Sequence, residues 1–243
     1  MLSDRLQLPL PFRHQPGYDA LDFLPAESNQ EALAWLDSDW PDRRLALWGP
    51  AGCGKSHLLH IWANRVGATL LAGQTLRDLE SLPETGALAL DDADTVADET
   101  LLLHLLNTAR DRGLRVLLSG RSPPSRWPVR LPDLSSRLRA ITAVEIGPPN
   151  DELLEALLMR LLADRQLTVA QPVQDWLRLR LPRSPAAFRE AVARLDRVSL
   201  ALGSGITRSL AAMVLAEDGL AVADADEISM LDGAPSTHPL GFL

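Results

Sequence analysis

A single cysteine, Cys53, occurs in the 243 residues. It has no partner for an intrachain disulfide, so the chain gives no sign of an oxidising compartment. Long apolar runs are missing too; none reaches the ~18–20 residues that span a bilayer. The opening MLSDRLQLPLPF carries an acid, is broken by prolines and lacks the apolar core of a secretory signal. A cytoplasmic location is therefore the expectation. Lysine is nearly absent, Lys55 standing against 23 arginines. Its position is informative for that reason. Basic residues stop at Arg208, after which come Glu217, Asp218, Asp224, Asp226, Glu227 and Asp232. The net charge of −8 is thus mostly a property of the C-terminal end. The body is neither broadly repelled by nucleic acid nor a basic binder of it. Zinc-type spacing is also lacking among His14, His57, His60 and His104. His57 and His60 are expected to pack or cap rather than ligate.

What is present is an ordinary globular composition, 46% hydrophobic and 23% charged, long enough for one good-sized core or two small ones. Residues 1–16 read as an extended tail, because Pro9, Pro11 and Pro16 forbid a regular helix. Apolar runs at 43–48, 69–73, 87–94, 114–120 and 142–147 have strand character, and helical periodicity appears at 29–38, 56–66 and 99–113. Gly113 is the expected C-terminal cap of the last of these helices. Short apolar strands alternating with helices predict a parallel five-stranded sheet with helices on both faces, over residues 17–147. After Pro148-Pro149 the pattern turns helical, at 151–166, 173–181, 184–203 and 207–217, which predicts a small α-helical domain over 148–218. The acidic remainder, 219–243, is expected to be disordered. Trp35, Trp48 and Trp62 are assigned to the core.

The chemistry concentrates in Gly49-Pro50-Ala51-Gly52-Cys53-Gly54-Lys55-Ser56, a match to G-x-x-x-x-G-K-[ST] between a strand and a helix. The glycines let backbone N–H groups converge on a polyphosphate, and the positive end of the next helix faces the same anion. Lys55 supplies charge to the outer phosphates and Ser56 a hydroxyl to Mg²⁺. By chance such a match arises on the order of once per hundred chains of this size, before context is counted. The strand at 87–94 carries Asp91 and Asp92. In P-loop proteins an acid at such a strand end holds Mg²⁺ through water, which makes Asp91 the candidate and Asp92 the group placed to orient an attacking water. Taken alone, the pair equally suits two acids solvating a strand end. The segment 110–139 holds eight arginines and two aspartates but only one aromatic, Trp127. It reads as a solvated face rather than a stacking platform for single strands.

The extended loop sequence, running on into His57-Leu58-Leu59-His60, resembles that of the replication initiator DnaA and the DnaA-related AAA+ family. Asp22-Phe23-Leu24-Pro25-Ala26-Glu27-Ser28-Asn29 resembles the family's adenine-facing segment, Leu131-Pro132-Asp133-Leu134-Ser135-Ser136-Arg137-Leu138 its arginine-finger motif, and Arg183, opening the helix after 182, the sensor arginine of its helical lid. The resemblance covers about residues 17–215 and implies an AAA+ module followed by a helical lid, with ADP or ATP and Mg²⁺ as ligands. The nucleotide would be contacted by Phe23, Leu24, the phosphate loop 49–56, His57 and Arg183. Gln7-Leu8-Pro9-Leu10-Pro11-Phe12 resembles the hexapeptide that bacterial proteins insert into the sliding clamp of DNA polymerase III. Gln7 would bond at a pocket rim and Leu10 and Phe12 would fill the pocket; from the residues alone, the hexapeptide suits equally a staple of the N-terminus onto the domain. A DnaA-like module with this motif is similar to the Hda family of regulatory inactivators. That implies the clamp and ATP-bound DnaA as partners, Arg137 acting in trans on DnaA's nucleotide, and weak or no ATPase of its own. The alternative to the finger is that Arg137 only forms an ion pair at a helix end.

Three departures stand out. Related inactivators often carry an acid after the glycine ending the fourth strand, whereas Arg121 follows Gly120, leaving Ser119 and Arg121 both open as the sensor group. Asp92 is one methylene shorter than the glutamate of vigorous ATPases. Pro185 in the lid segment is tolerable only near a helix start. The competing readings are a helicase loader or another DnaA-related replication adaptor, and a self-sufficient ATPase ring.

Overall fold

Five short apolar runs form one parallel sheet in the computed structural model, which describes residues 23–216. The strands are β1 (Arg44–Trp48), β2 (Thr69–Ala72), β3 (Ala87–Asp91), β4 (Arg115–Gly120) and β5 (Thr142–Glu145), in the order β2-β3-β4-β1-β5. Helix α1 (Glu27–Leu36) precedes β1, and α2 (Lys55–Val66), α3 (Glu99–Asp111) and α4 (Pro132–Arg139) lie between the strands. The expected tails at 1–16 and 219–243, with Gln7, Leu8, Leu10, Pro11 and Phe12, lie outside the described residues.

Strand alternation sorts the core into two faces. Leu45, Leu47, Ala87, Ala89 and Leu117 pack with Leu58, Leu59 and Trp62 of α2 and Ala32 and Leu36 of α1. Ala46, Leu88, Leu90, Val116 and Leu118 pack on the other side with α3 and α4. Helix α3 shows why it forms: Leu102, Leu105, Leu106 and Ala109 make a buried stripe at helical spacing. Each fully buried leucine contributes about 1.5–3 kcal/mol. The helix starts at Asp98, whose carboxylate accepts from Thr100 N at 2.8 Å and Leu101 N at 3.2 Å. It stops at Arg112, and Gly113 follows in the left-handed region, as expected.

A second core lies in α5 (Asp151–Asp164), α6 (Gln171–Arg180), α7 (Pro185–Leu202) and α8 (Arg208–Ala216), centred on Phe188, Leu177 and Leu195. Asn150 caps α5 and Ser184 caps α7. Pro185 takes the first helical position, where its missing N–H costs nothing. Leu24 packs against this helical core rather than within the sheet domain.

Four local expectations change. Strand β3 ends at Asp91, because Asp92 turns into the left-handed region (φ 48°) and opens a short 3-10 turn. The Leu131–Leu138 stretch, read only as a motif, contains a helix, α4, started by Pro132 and anchored by buried Leu134 and Leu138. Arg183 lies one residue before the cap of α7 rather than opening the helix. Of the three core tryptophans, Trp62 is fully buried, but Trp35 and Trp48 are half-buried; Trp40 and Trp127 are buried instead.

Candidate functional site

The loop from β1 to α2 is shaped by close approach. A Cβ on Gly49 (φ 155°) would lie 2.2 Å from the Ile146 carbonyl oxygen, so only glycine lets β1 run this close to the chain after β5. Gly54, at φ 106°, turns the chain into α2, and a Cβ there would sit 3.3 Å from the Phe23 ring. Lys55, the first residue of α2, is buried apart from 6% of its surface. Its ammonium donates to the Gly49 and Pro50 carbonyls at 2.9 Å each and lies 3.9 Å from Cys53 Sγ. One positive charge is thus fixed inside the loop whose backbone curls around it. Burial pushes the Cys53 thiol above its ordinary pKa, a rise partly offset by Lys55.

Asp91 joins three elements. Ser56 Oγ of α2 donates to Asp91 Oδ1 at 3.0 Å, and Ser119 Oγ, fully buried on β4, donates to the same oxygen. The Ser119 hydroxyl in turn accepts from Asp92 N at 2.8 Å. The Asp92 carbonyl is held by Thr95 through its N–H (2.9 Å) and hydroxyl (2.7 Å). Its carboxyl is pushed above the ordinary carboxylate range, first by burial, then by Asp91 and Asp94, with Lys55 and Arg121 pulling the other way. Asp94 accepts from Arg121 N at 2.7 Å, while its second oxygen is buried without a hydrogen-bond partner among the described residues. Burial also lowers the pKa of His60, against the opposing field of Asp91.

Phe23 stands edge-on to His57, ring centroids 5.4 Å apart at 87°. With Gly54 against the same ring, the two form an aromatic wall beside the start of α2. The helical core of α5–α8 comes close through Ser184: a Cβ on Gly52 would meet the Ser184 Cβ at 3.2 Å. Arg183, next to it, is ion-paired with Asp151 at 2.6 Å, both side chains being largely exposed. Arg137 lies apart, on α4, half-buried, with its Nε buried and unbonded among the described residues.

The structure therefore brings together Gly49–Ser56, Asp91 and Asp92 around Lys55, with Phe23 and His57 on one flank and Arg183 near the lid contact. Leu24 turns to the lid core, and Arg137 has no hydrogen bond or ion pair to this group. Asp94, Thr95 and Asp151 were not singled out from sequence. Only an acid in the predicted first turn of α5 hinted at the last. The cluster fits a Mg²⁺-nucleotide. The loop glycines leave backbone N–H groups uncovered by side chains, Lys55 supplies charge, and Ser56 and Asp91 offer two adjoining oxygens. Mg²⁺ takes few protein ligands and keeps several waters. Among the described residues no group of three or more His, Cys, Asp or Glu side chains could hold a metal.

No protein-family model matches the chain. An uncharacterized protein of Haemophilus influenzae is 28% identical over 219 residues, covering 83% of this chain and 94% of its own. Among solved structures, domain III of the Thermotoga maritima replication initiation protein DnaA superposes with a TM-score of 0.67 at 17% identity, covering 84% of this chain and 97% of that one. A Thermotoga maritima RuvB variant gives 0.63 at 16% identity, over 80% and 70%. AMPPCP-bound DnaA from Aquifex aeolicus gives 0.60 at 17% identity, over 78% and 68%. The chain has the AAA+ P-loop fold of these proteins, a five-stranded parallel sheet flanked by helices.

Proposed function

We propose that this chain is a nucleotide-binding AAA+ regulator of DNA replication of the Hda type. It docks on the DNA polymerase III sliding clamp through Gln7, Leu8, Leu10, Pro11 and Phe12, and it promotes hydrolysis of DnaA-bound ATP through Arg137. The observation that carries this reading is the state of Arg137. Arg137 is half-buried on α4, has no carboxylate partner among the described residues, and its Nε is buried there without a hydrogen bond. A guanidinium held on a short helix without a counter-ion suits an anion brought by another molecule. As a terminal phosphoryl group transfers, charge develops on its oxygens, and an arginine supplied by a neighbour accelerates the step by about 10³–10⁵ in other systems.

The chain's own nucleotide, ADP or ATP, has a structural role in this reading. Lys55 and the loop N–H groups bind the phosphates, Ser56 and Asp91 hold Mg²⁺, and Phe23 and His57 border the base. Arg183 reaches the phosphates from the lid side. Bound Mg²⁺ supplies charge neutralisation at the phosphate oxygens. Asp92 is the residue that orients water, and its short side chain on a left-handed backbone accords with weak turnover.

The test is ATP hydrolysis by ATP-bound DnaA of the same organism, with this protein, its clamp and DNA. Arg137→Ala is expected to abolish stimulation while folding and clamp binding persist. Changing Gln7 and Phe12 together to Ala is expected to abolish the clamp dependence. Full stimulation by the Arg137 variant refutes the finger. No stimulation by the unmodified protein, with nucleotide binding intact, favours a helicase loader or another DnaA-related adaptor.

A further inference from the structure

Two polar side-chain atoms on neighbouring helices are buried without a hydrogen bond among the described residues: Asn107 Oδ1 on α3 and Arg137 Nε on α4. They are complementary, since an amide oxygen accepts and a guanidinium Nε–H donates. Buried polar groups in folded proteins are nearly always bonded, so each of these needs a reason. Helical spacing places Asn107. Glu99, Leu103 and Asn107 stand four residues apart, along one side of α3. Glu99 shows that this side is turned to α4: its carboxylate accepts from Arg130 N at 2.9 Å and Leu131 N at 2.8 Å, where α4 begins. Asn107 follows about two turns further along the same side. The two helices pack on each other and run in the same direction, because each leaves the carboxyl end of one parallel strand and returns to the start of another. Arg137 stands about two turns beyond Leu131, and so at the level of Asn107. It lies on the flank of the buried Leu134–Leu138 stripe. With right-handed connections and α4 on the β1–β5 side of α3, that flank faces α3.

We propose that Asn107 is the positioning residue for Arg137. Its Oδ1 accepts the Nε–H as a partner's phosphate draws the guanidinium into place, and the two terminal amino groups are left for that phosphate. This rests on the reading of Arg137 as an arginine acting in trans. An arginine side chain loses much rotamer freedom when it is fixed, and a bond at Nε restricts it close to the reacting end. An amide suits this task better than a carboxylate, because it orients the guanidinium without cancelling the charge that the phosphate needs. The acid on the same side of α3, Glu99, is engaged by the α4 backbone and holds the two helices in register.

The measurement is the rate of ATP hydrolysis by ATP-bound DnaA, with clamp and DNA, as the concentration of the full chain or of Asn107→Leu, Asn107→Gln or Arg137→Ala is raised. It is paired with the melting temperature of each variant. A hydrogen bond to a charged group is equivalent to about 10- to 150-fold in rate. Asn107→Leu is expected to lower the maximal rate by about 10-fold, at the lower end because Arg137 itself remains, and to move the half-saturating concentration by less than about twofold. Its melting temperature should not fall, because the change removes an unpaired buried acceptor and leucine is the better helix former. Asn107→Gln keeps an amide acceptor and should recover part of the rate. An unchanged maximal rate for Asn107→Leu overturns the proposal. So does a loss that accompanies a lower melting temperature, that lies in the half-saturating concentration, or that Asn107→Gln shares in full. If Arg137→Ala stimulates fully, or the unmodified chain does not stimulate, the finger itself is overturned and the Asn107 proposal with it. Loss with Arg137→Ala but not with Asn107→Leu overturns the Asn107 proposal alone.

Discussion

Replacing Ser119 by Ala removes one hydroxyl from a position with no exposed surface. Two bonds go with it, the one it donates to Asp91 and the one it accepts from Asp92 N. The Asp92 N–H is left without that acceptor, and the shared Asp91 oxygen keeps only Ser56. An unsatisfied buried donor costs about 1–3 kcal/mol, and weakening a bond to a carboxylate adds to it. For a domain of this size each kcal/mol lowers the melting midpoint by about 2–4 °C, so Ser119→Ala should melt about 2–12 °C lower. Ser56→Ala serves as the comparison. It removes a donor to the same oxygen from a half-buried site at the start of α2, where water can replace it, and should cost under about 1 kcal/mol. The assay is thermal unfolding followed by circular dichroism, with Mg²⁺-nucleotide binding measured in parallel. The order of the two variants is the critical result. If Ser119→Ala melts within a degree of the unmodified protein, or Ser56→Ala is the more damaging, Asp91 is not held chiefly from β4.

Two further outcomes follow from the loop itself. Gly49→Ala places a methyl 2.2 Å from the Ile146 carbonyl, so the loop must open. Nucleotide binding is expected to fall below detection in titration calorimetry, and near-normal binding would show that the approach of β1 to the chain after β5 is not needed. Burial raises the pKa of the Cys53 thiol, so its thiolate fraction is small below the ordinary thiol pKa and grows only at higher pH. Alkylation of the native protein by iodoacetamide at pH 8 is expected to be slower than that of a free cysteine, and an equal rate would contradict the buried placement.

Much of the sheet domain was legible because its signals are local. A glycine-rich turn ending in Lys-Ser is recognisable wherever it occurs, and apolar runs such as Leu45–Leu47 and Leu88–Leu90 leave little room for another reading. The helix caps were also partly legible, as Gly113 shows. What escaped was decided by a neighbour. α4 is only eight residues long and charged, and it forms because Leu134 and Leu138 find α3. Asp92 leaves the strand because Ser119 and Thr95 hold its backbone on either side. Trp48 stops at half-burial where β1 gives way to the loop, while buried Trp40 packs against the Trp62 ring.

By itself, the sequence determined the chemical parts: one lysine in a glycine-rich turn between a strand and a helix, and two acids at a strand end. These follow from residue type and spacing within a dozen positions, which is the range over which backbone geometry is local. The tertiary structure alone decided how the parts meet. Ser56 reaches Asp91 across 35 residues and Ser119 reaches it across 28, because β4 is inserted between β3 and β1. That same insertion puts Arg121 beside the acids, and the packing of α5 against α7 brings Arg183 within reach of Asp151. Strand order and lid docking are set by which apolar faces bury one another, and no short stretch of chain records that choice.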